Sequence, residues 1–426
     1  MNKENYRPRV ADAVLEKKLK TSAAVVVQGP KWCGKTTTSE QFANSILYMA
    51  DPETLKKNLL LAENDVKALL QGETPHLIDE WQEAPQLWDA IRFEADHRQG
   101  MGQFILTGSA VPVETDKMRH SGTGRFSWLT MRTMSLWESG ESNGNISLEA
   151  LFGQPDSIFS DASLNLYDMA FLICRGGWPT SLFMEKEDAL EPVFSYYEAV
   201  TGIDISRVDN TLRDEARAKR LLRSLARHQG TQVPNTTIRD DMKVNDTDSL
   251  TEDTVASYIN ALKKIFVVED MEAWNPNLRS KSAIRTSDTR YFTDPSIAVA
   301  ALGIGPKDLA NDLNTMGLLF ETLAVRDLRV YADALNGKVY HFRDKNGLEA
   351  DAVVHLPNGH YGLVEVKLGG ETLINEGAKT LCQLTQKIDT TKMPEPSFKM
   401  VLTAVGDCAY KRPDSVMVVP ISALKH

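Results

Sequence analysis

Residues 23–38 read AAVVVQGPKWCGKTTT, a β-branched apolar run that ends in Gly29-x-x-x-x-Gly34-Lys35-Thr36. Such a run predicts a buried strand that delivers the backbone into a loop. The loop's glycines permit unusual dihedrals and close approach, so that successive N–H groups can surround a phosphate at a helix N-terminus. Gly29, Pro30, Lys31, Trp32, Cys33, Gly34, Lys35, Thr36 and Thr37 are therefore candidates for contacting a nucleotide. Lys35 is placed to reach its outer phosphates, and the Thr36 hydroxyl to meet Mg²⁺. The following TTTSEQFANSI is helix-compatible. Strand, loop and helix in this order imply a parallel α/β sheet, with ATP and Mg²⁺ as cofactors.

A magnesium-binding acid should end a second strand of that sheet. PHLIDEWQ at 75–82 supplies one, with Asp79 as a ligand to Mg²⁺ through its second shell and Glu80 placed to polarise the attacking water. Two acids opening a helix, favoured by its dipole, are the competing reading. A third strand, QFILTGSA at 103–110, ends in Thr107 and Ser109, whose hydroxyls can sense the terminal phosphate or serve ordinary turn chemistry. Arg125, in SGTGRFSWL at 121–129, is a candidate to stabilise transition-state charge, in cis or from a neighbouring subunit; a solvated loop arginine is the alternative.

Together GPKWCGKT, LIDEWQEAP, ILTGSA, GTGRF and SLWE resemble the AAA-type ATPase domain of a widespread prokaryotic family whose C-terminal half is a domain of unknown function. The resemblance runs along almost the whole chain, since CRGGWPTSL at 174–182 and RYFTDPSIA at 290–298 are similar to landmarks of that half. Lys31 stands where the family usually carries Arg, and Thr133 where it carries Pro; neither is a catalytic position.

At 426 residues the chain is too long for one core. The expected division is an AAA-type P-loop ATPase domain over 1–155, a helical and winged-helix domain over 156–300, and a restriction-endonuclease-like α/β domain over 301–426. MNKENYRPRV lacks a signal-peptide core and no apolar run reaches about 18 residues, so a cytoplasmic location without a membrane is expected. Cys33, Cys174, Cys382 and Cys408 form no CxxC pair, which argues for reduced thiols. A net charge of −10 disfavours nucleic acid as a partner of the whole surface, though not of a local basic stripe.

One such stripe is predicted in TLRDEARAKRLLRSLARHQG at 211–230, where Arg213, Arg217, Arg220, Arg223 and Arg227 share a sector opposite Leu221, Leu222 and Leu225. The elements that follow match a winged helix-turn-helix. Its would-be recognition helix begins Thr251-Glu252-Asp253, and acids there oppose phosphate approach. The unit is accordingly read first as a protein-interaction module and second as a DNA-binding one.

Near the C-terminus, EADAVVHLPNGHYGLVEVKLGG at 349–370 predicts a hairpin. A two-residue Asn358-Gly359 turn would put Asp351 and Glu365 on opposite faces. A three-residue Pro357-Asn358-Gly359 loop pairs Leu356 with His360, and hence Asp351 with Glu365 and Glu349 with Lys367, on one face. Acids directly opposite one another call for a cation or a proton between them. This arrangement resembles the restriction-endonuclease-like fold, which implies Asp351 and Glu365 as metal ligands, Lys367 as a catalytic group, and Glu321 on the preceding helix as a further metal-binding acid. Of three functional readings, an ATP-driven switch acting through its C-terminal half is preferred. An ATP-gated metal-dependent nuclease and a non-catalytic ATP-binding scaffold for protein partners are the alternatives.

Overall fold

The β-branched run is buried and forms the interior strand β1 (Ala24–Gln28). The computed structural model describes residues 6–98, 100–109, 124–243, 250–275 and 287–426. They divide into two compact units. One contains the chain up to Thr133 with the segments Ile203–Leu212 and Ala261–Phe266; the other contains Met134–Gly202, Arg213–Asn260 and Val267–His426.

In the first unit β1 is joined by β2 (Ser45–Tyr48), β3 (His76–Asp79), β4 (Phe104–Gly108) and β5 (Phe126–Thr130) in the order β2-β3-β4-β1-β5, all parallel. Alternation along the strands supplies two cores. Ala24, Val26, Ile78 and Leu106 pack with Trp81, Trp88 and Ile91 on one face. Val25, Val27, Leu77 and Ile105 pack with Val14, Leu15 and Met131 on the other. Parallel strands bring the loops after β1, β3 and β4 to one end of the sheet, where open α/β sheets bind ligands. The helix after the glycine-rich loop is Lys35–Glu40 only, shorter than TTTSEQFANSI suggested. Asn44 donates its backbone N–H to Pro75 O (2.9 Å) and its side-chain amide to Thr74 O (2.6 Å), which turns the chain into the edge strand β2.

The second unit opens with the short strands β6 (Ile146–Ser147) and β7 (Ser160–Asp161) and is then mainly helical up to β8 (Val268–Met271), which pairs antiparallel with β9 (Thr289–Phe292). Helices Glu215–Arg227, Asn235–Met242 and Glu252–Lys264 precede that pair, in the order expected. The arginine stripe does not survive as a continuous basic face. Arg213 is buried and donates to Ser257 Oγ (3.1 Å), Arg220 Nε donates to Met242 O (2.8 Å), and Arg227 pairs with Asp241 at 3.7 Å. Helical periodicity placed these arginines on one side correctly, but that side is partly covered by neighbouring helices.

After the helix Leu313–Ala334 come β10 (Lys338–Arg343), β11 (Glu349–His355), β12 (Tyr361–Lys367), the helix Glu371–Lys387, β13 (Phe398–Thr403), β14 (Cys408–Lys411), β15 (Val416–Pro420) and β16 (Leu424–Lys425). The main sheet runs β10-β11-β12-β13-β15-β14-β7, antiparallel from β10 to β12 and parallel from β12 to β15. β16 pairs in parallel with β6. One helix lies on each face: Leu313–Ala334 against β10–β12, and Glu371–Lys387 over Val353, Leu363 and Val401.

A buried charge network ties this unit together. Arg326 donates to Asp294 Oδ2 (3.0 Å) and Asp327 Oδ1 (2.8 Å), and the three side chains are 2%, 0% and 0% exposed. Asp294 Oδ2 also accepts Gly177 N–H, Asp327 Oδ2 accepts Leu136 N–H, and Trp178 Nε1 donates to Ser296 Oγ. The two landmark segments, CRGGWP and TDPS, therefore meet one another through this network.

Candidate functional site

The loop after β1 is built by its backbone. Gly29 has φ 150°, and a Cβ there would lie 2.0 Å from Met131 O; Gly34 is left-handed at φ 100° and caps the helix that begins at Lys35. Larger residues at Gly29 would force the loop off the sheet. Lys35 is 6% exposed, and its ammonium donates to Gly29 O (3.0 Å) and Pro30 O (2.8 Å), so its charge is held inside the curl of the loop. Trp32 is 53% exposed at φ 66°, whereas Cys33 is buried with its Sγ 3.5 Å from Met131 O.

β4 lies between β1 and β3, and this order brings the expected acids to the loop. Asp79 pairs with Thr107 across the sheet. Asp79 Oδ1 accepts Thr36 Oγ1 (2.7 Å) and Thr107 Oγ1 (2.5 Å), which joins the loop helix to two strand ends. Glu80, the next residue, has φ 53°, in the left-handed region that non-glycine residues rarely adopt. Its Oε2 accepts the Gln82 side-chain amide and Ser109 Oγ (3.3 Å). Lys35, Thr36, Asp79, Glu80, Thr107 and Ser109 therefore share one end of the sheet. Thr37 follows on the same short helix, its carbonyl accepting Gln41 Nε2 (3.0 Å).

Arg125 is not brought there within this chain. Its carbonyl accepts Ala24 N–H and the next residue pairs with Ala24, so it stands at the start of β1 and β5, about 16 Å of strand away from the loop. Its guanidinium is bonded to Asp96 at 2.6 Å.

Several residues that support the loop carried no sequence signal. Arg9 is 6% exposed and donates to Cys33 O and Arg132 O, both at 2.9 Å. Tyr6 OH donates to Asp12 Oδ1 (2.6 Å) and lies 2.9 Å from Thr38 Oγ1; burial, reinforced by Asp12, raises its pKa. Lys31 is bonded to Asp204, far along the chain, at 2.6 Å. Gln82, two residues after Glu80, is the exception that the motif's neighbourhood could have revealed.

The hairpin takes the three-residue loop. Leu356 N–H donates to His360 O, Gly359 has φ 86°, and the β11–β12 pairing runs from His355–Tyr361 to Ala352–Val364, one step short of Asp351 and Glu365. A β-bulge adds to this. Between the pairs Tyr340–Val353 and Phe342–Ala350, the two residues Asp351 and Ala352 oppose one, His341. Bulges re-aim side chains, and here Asp351 Oδ2 accepts Val366 N–H (2.7 Å) and lies 3.4 Å from Lys367 Nζ. Lys367 also meets Glu365 Oε2 at 2.7 Å. Glu365 is 3% exposed, and its Oε1 is buried without a hydrogen-bond partner. Burial first and Asp351 second push its pKa up to about 8, against the pull of Lys367. Burial works against the Lys367 charge, but the two carboxylates outweigh it and raise its pKa.

Glu321 accepts Tyr291 OH at 2.7 Å, and burial and then the Asp351 charge raise its pKa well above the carboxylate range. Among the described residues, no group of three or more His, Cys, Asp and Glu could hold a metal ion. The expected three-acid set is therefore not assembled: the pair Asp351 and Glu365 is bridged by Lys367, and Glu321 is held by Tyr291.

The Glu365 shift has a consequence for stability. Its ordinary value is 4.5 and its folded value about 8, so the folded state binds the extra proton between them. Stability should fall as pH rises through that window and level off above it. Glu365→Gln is expected to flatten the fall, so its Tm advantage over the parent should grow from pH 5 to pH 8 in parallel thermal melts. An advantage independent of pH would show that Glu365 does not titrate in this range.

Residues 21–139 match the family described as AAA domain, residues 166–308 the Domain of unknown function (DUF8612), and residues 316–424 the Domain of unknown function (DUF4143). Uncharacterized proteins of Mycobacterium bovis and Mycobacterium tuberculosis are each 24% identical over 363 residues, spanning 84% of this chain and 73% of theirs. Among solved structures, a Walker-type ATPase of Pyrococcus abyssi matches with a TM-score of 0.42 and 14% identity, over 70% of this chain and 97% of that one. Among the described residues, no helix is long and apolar enough to cross a membrane. The chain thus joins an AAA-type P-loop ATPase domain to a C-terminal domain of unknown function.

Proposed function

We propose that the chain binds and hydrolyses Mg-ATP at the loop after β1 and works as an ATP-driven switch. The observation that carries this is the convergence of Thr36, the residue after Lys35, and Thr107 on one carboxylate oxygen of Asp79. Their oxygens suit a hard cation, and Mg²⁺ bound there with the nucleotide would neutralise phosphate charge. In this reading the loop N–H groups and Lys35 hold the phosphates. Thr36 and Asp79 orient the cation's oxygen ligands, and Glu80 takes the proton of the attacking water. Thr107 and Ser109 report the terminal phosphate to their strand. Arg125 would act on the site of a neighbouring copy, because its own loop lies at the other end of the sheet.

Titration of the purified chain with Mg-ATP tests the reading. Lys35→Ala is expected to weaken binding by about 10- to 100-fold, the equivalent of about 1.5–3 kcal/mol for a hydrogen bond to a charged group. Equal affinity in parent and variant would remove Lys35 from the site.

A second reading, metal-dependent cleavage of DNA by the C-terminal half, is favoured by one observation: Asp351 and Glu365 both reach Lys367, and Glu365 Oε1 lacks a partner. Those two acids would hold Mg²⁺, whose chemistry is to activate a water. Lys367 would orient that water, and Glu321, freed from Tyr291, would add a further acid. Incubation with single- or double-stranded DNA and Mg²⁺ or Mn²⁺ tests it. Cleavage lost in Asp351→Ala supports a nuclease, and no cleavage with or without ATP leaves the fold as a docking surface. The three helices before β8 and β9 offer a winged-helix surface for a protein partner, with DNA the less favoured occupant because Arg213 and Arg220 are already bonded within the unit.

A further inference from the structure

The nucleotide loop carries two lysines, and they are held in different ways. Lys35 is bonded to carbonyls of the loop itself. Lys31 reaches Asp204 Oδ1 at 2.6 Å across 173 positions of sequence; the lysine side chain is 45% exposed and the aspartate side chain 9%. Asp204 closes the π-helical turn Val200–Asp204, which separates the helices Glu191–Ala199 and Ile205–Arg207. π-turns are rare and occur frequently at functional sites. The segment Ile203–Leu212 belongs to the same compact unit as the loop.

We propose that Asp204 is a positioning residue of the nucleotide loop, which holds Lys31 and thereby sets the affinity for nucleoside triphosphate. This rests on the reading of the loop as a Mg-ATP site. Its chemistry is a competition between anions. The charge-assisted bond gives Lys31 a strong partner, while a polyphosphate on the loop is a second acceptor of higher charge. Lysine is a point charge on a flexible stem, suited to exchange one oxygen partner for another. When Lys31 turns to phosphate, the mostly buried Asp204 carboxylate loses its cation, and that cost is subtracted from nucleotide binding. Removing the carboxylate removes the cost and leaves Lys31 to the phosphate.

Asp204→Asn is expected to bind Mg-ATP about tenfold more tightly, about 1.4 kcal/mol. KM should fall to match and kcat should stay within about twofold, because the attacking-water machinery at Glu80 is not altered. Asp204→Glu, which keeps the charge, should restore parental affinity. In a Lys31→Met background the same Asp204→Asn change should give less than about a threefold gain, since a double-mutant cycle isolates the pairwise part. Asp204→Ser provides a second uncharged variant should the asparagine chain fail to fold, and must give the same gain. Unchanged affinity in a folded uncharged variant, or an equal gain with and without Lys31, overturns the proposal while leaving the ATP site intact. Absence of Mg-ATP binding in the parent chain overturns both.

Discussion

Glu80→Gln should bind Mg-ATP as the parent chain does and turn it over about 10²- to 10⁴-fold more slowly, the usual contribution of a positioned general base. Glutamine keeps the length and shape of the side chain but cannot accept a proton. Neighbouring geometry is also spared. Asp79, which gathers Thr36 and Thr107, is a separate carboxylate, and Lys35 is bonded to loop carbonyls rather than to Glu80. The left-handed backbone at Glu80, φ 53°, is asked of a side chain with the same branching in the variant. Single-turnover hydrolysis beside equilibrium binding separates the two effects. Parental turnover in the variant would take Glu80 out of the mechanism, and joint loss of binding and turnover would make it a structural residue of the loop.

The second large effect concerns stability. Arg326→Met should cost about 3–5 kcal/mol, because it leaves two buried carboxylates without their cation. Asp294 and Asp327 are each 0% exposed at the side chain, and both also hold backbone N–H groups from elsewhere in the unit, at Gly177 and Leu136. Burial already pushes the Asp327 pKa up to about 6 with the guanidinium in place. At about 2–4 °C per kcal/mol for a domain of this size class, the Tm of the second unit should drop by roughly 6–20 °C. Replacing Arg326 by Met together with Asp294 and Asp327 by Asn, whose amide oxygens can still accept the Gly177 and Leu136 N–H groups, should cost much less, as buried ion networks often do when removed whole. A drop within about 2 °C for the single variant would show that the acids find other partners or take up protons freely.

What the sequence revealed and what it concealed follow from the range of the interactions involved. The glycine-rich loop, the acids at the end of β3 and the hydroxyls at the end of β4 were legible because strand ends fix side chains within a few residues. The hairpin register was legible because Gly359 at positive φ chooses the loop length and period-two alternation does the rest. The bulge at Asp351 was not, since it depends on pairing with β10, a neighbour that no local pattern specifies. Long-range partners were equally hidden: Arg9 under Cys33, Asp204 on Lys31, and Tyr291 on Glu321 are each set by tertiary packing. The arginine stripe misled for the opposite reason. Helical periodicity identifies a side of the helix, but only packing decides whether that side is covered.

Because the first unit includes Ile203–Leu212 and Ala261–Phe266 as well as the chain up to Thr133, no single cut in the gene releases it whole. A fragment ending at residue 155 would keep every residue proposed to hold the nucleotide yet leave behind Asp204, the counter-ion of Lys31. Shuffling of this domain between proteins would therefore have to carry the downstream helices with it, so the inheritable module is larger than the contiguous stretch of sequence that matches the AAA domain.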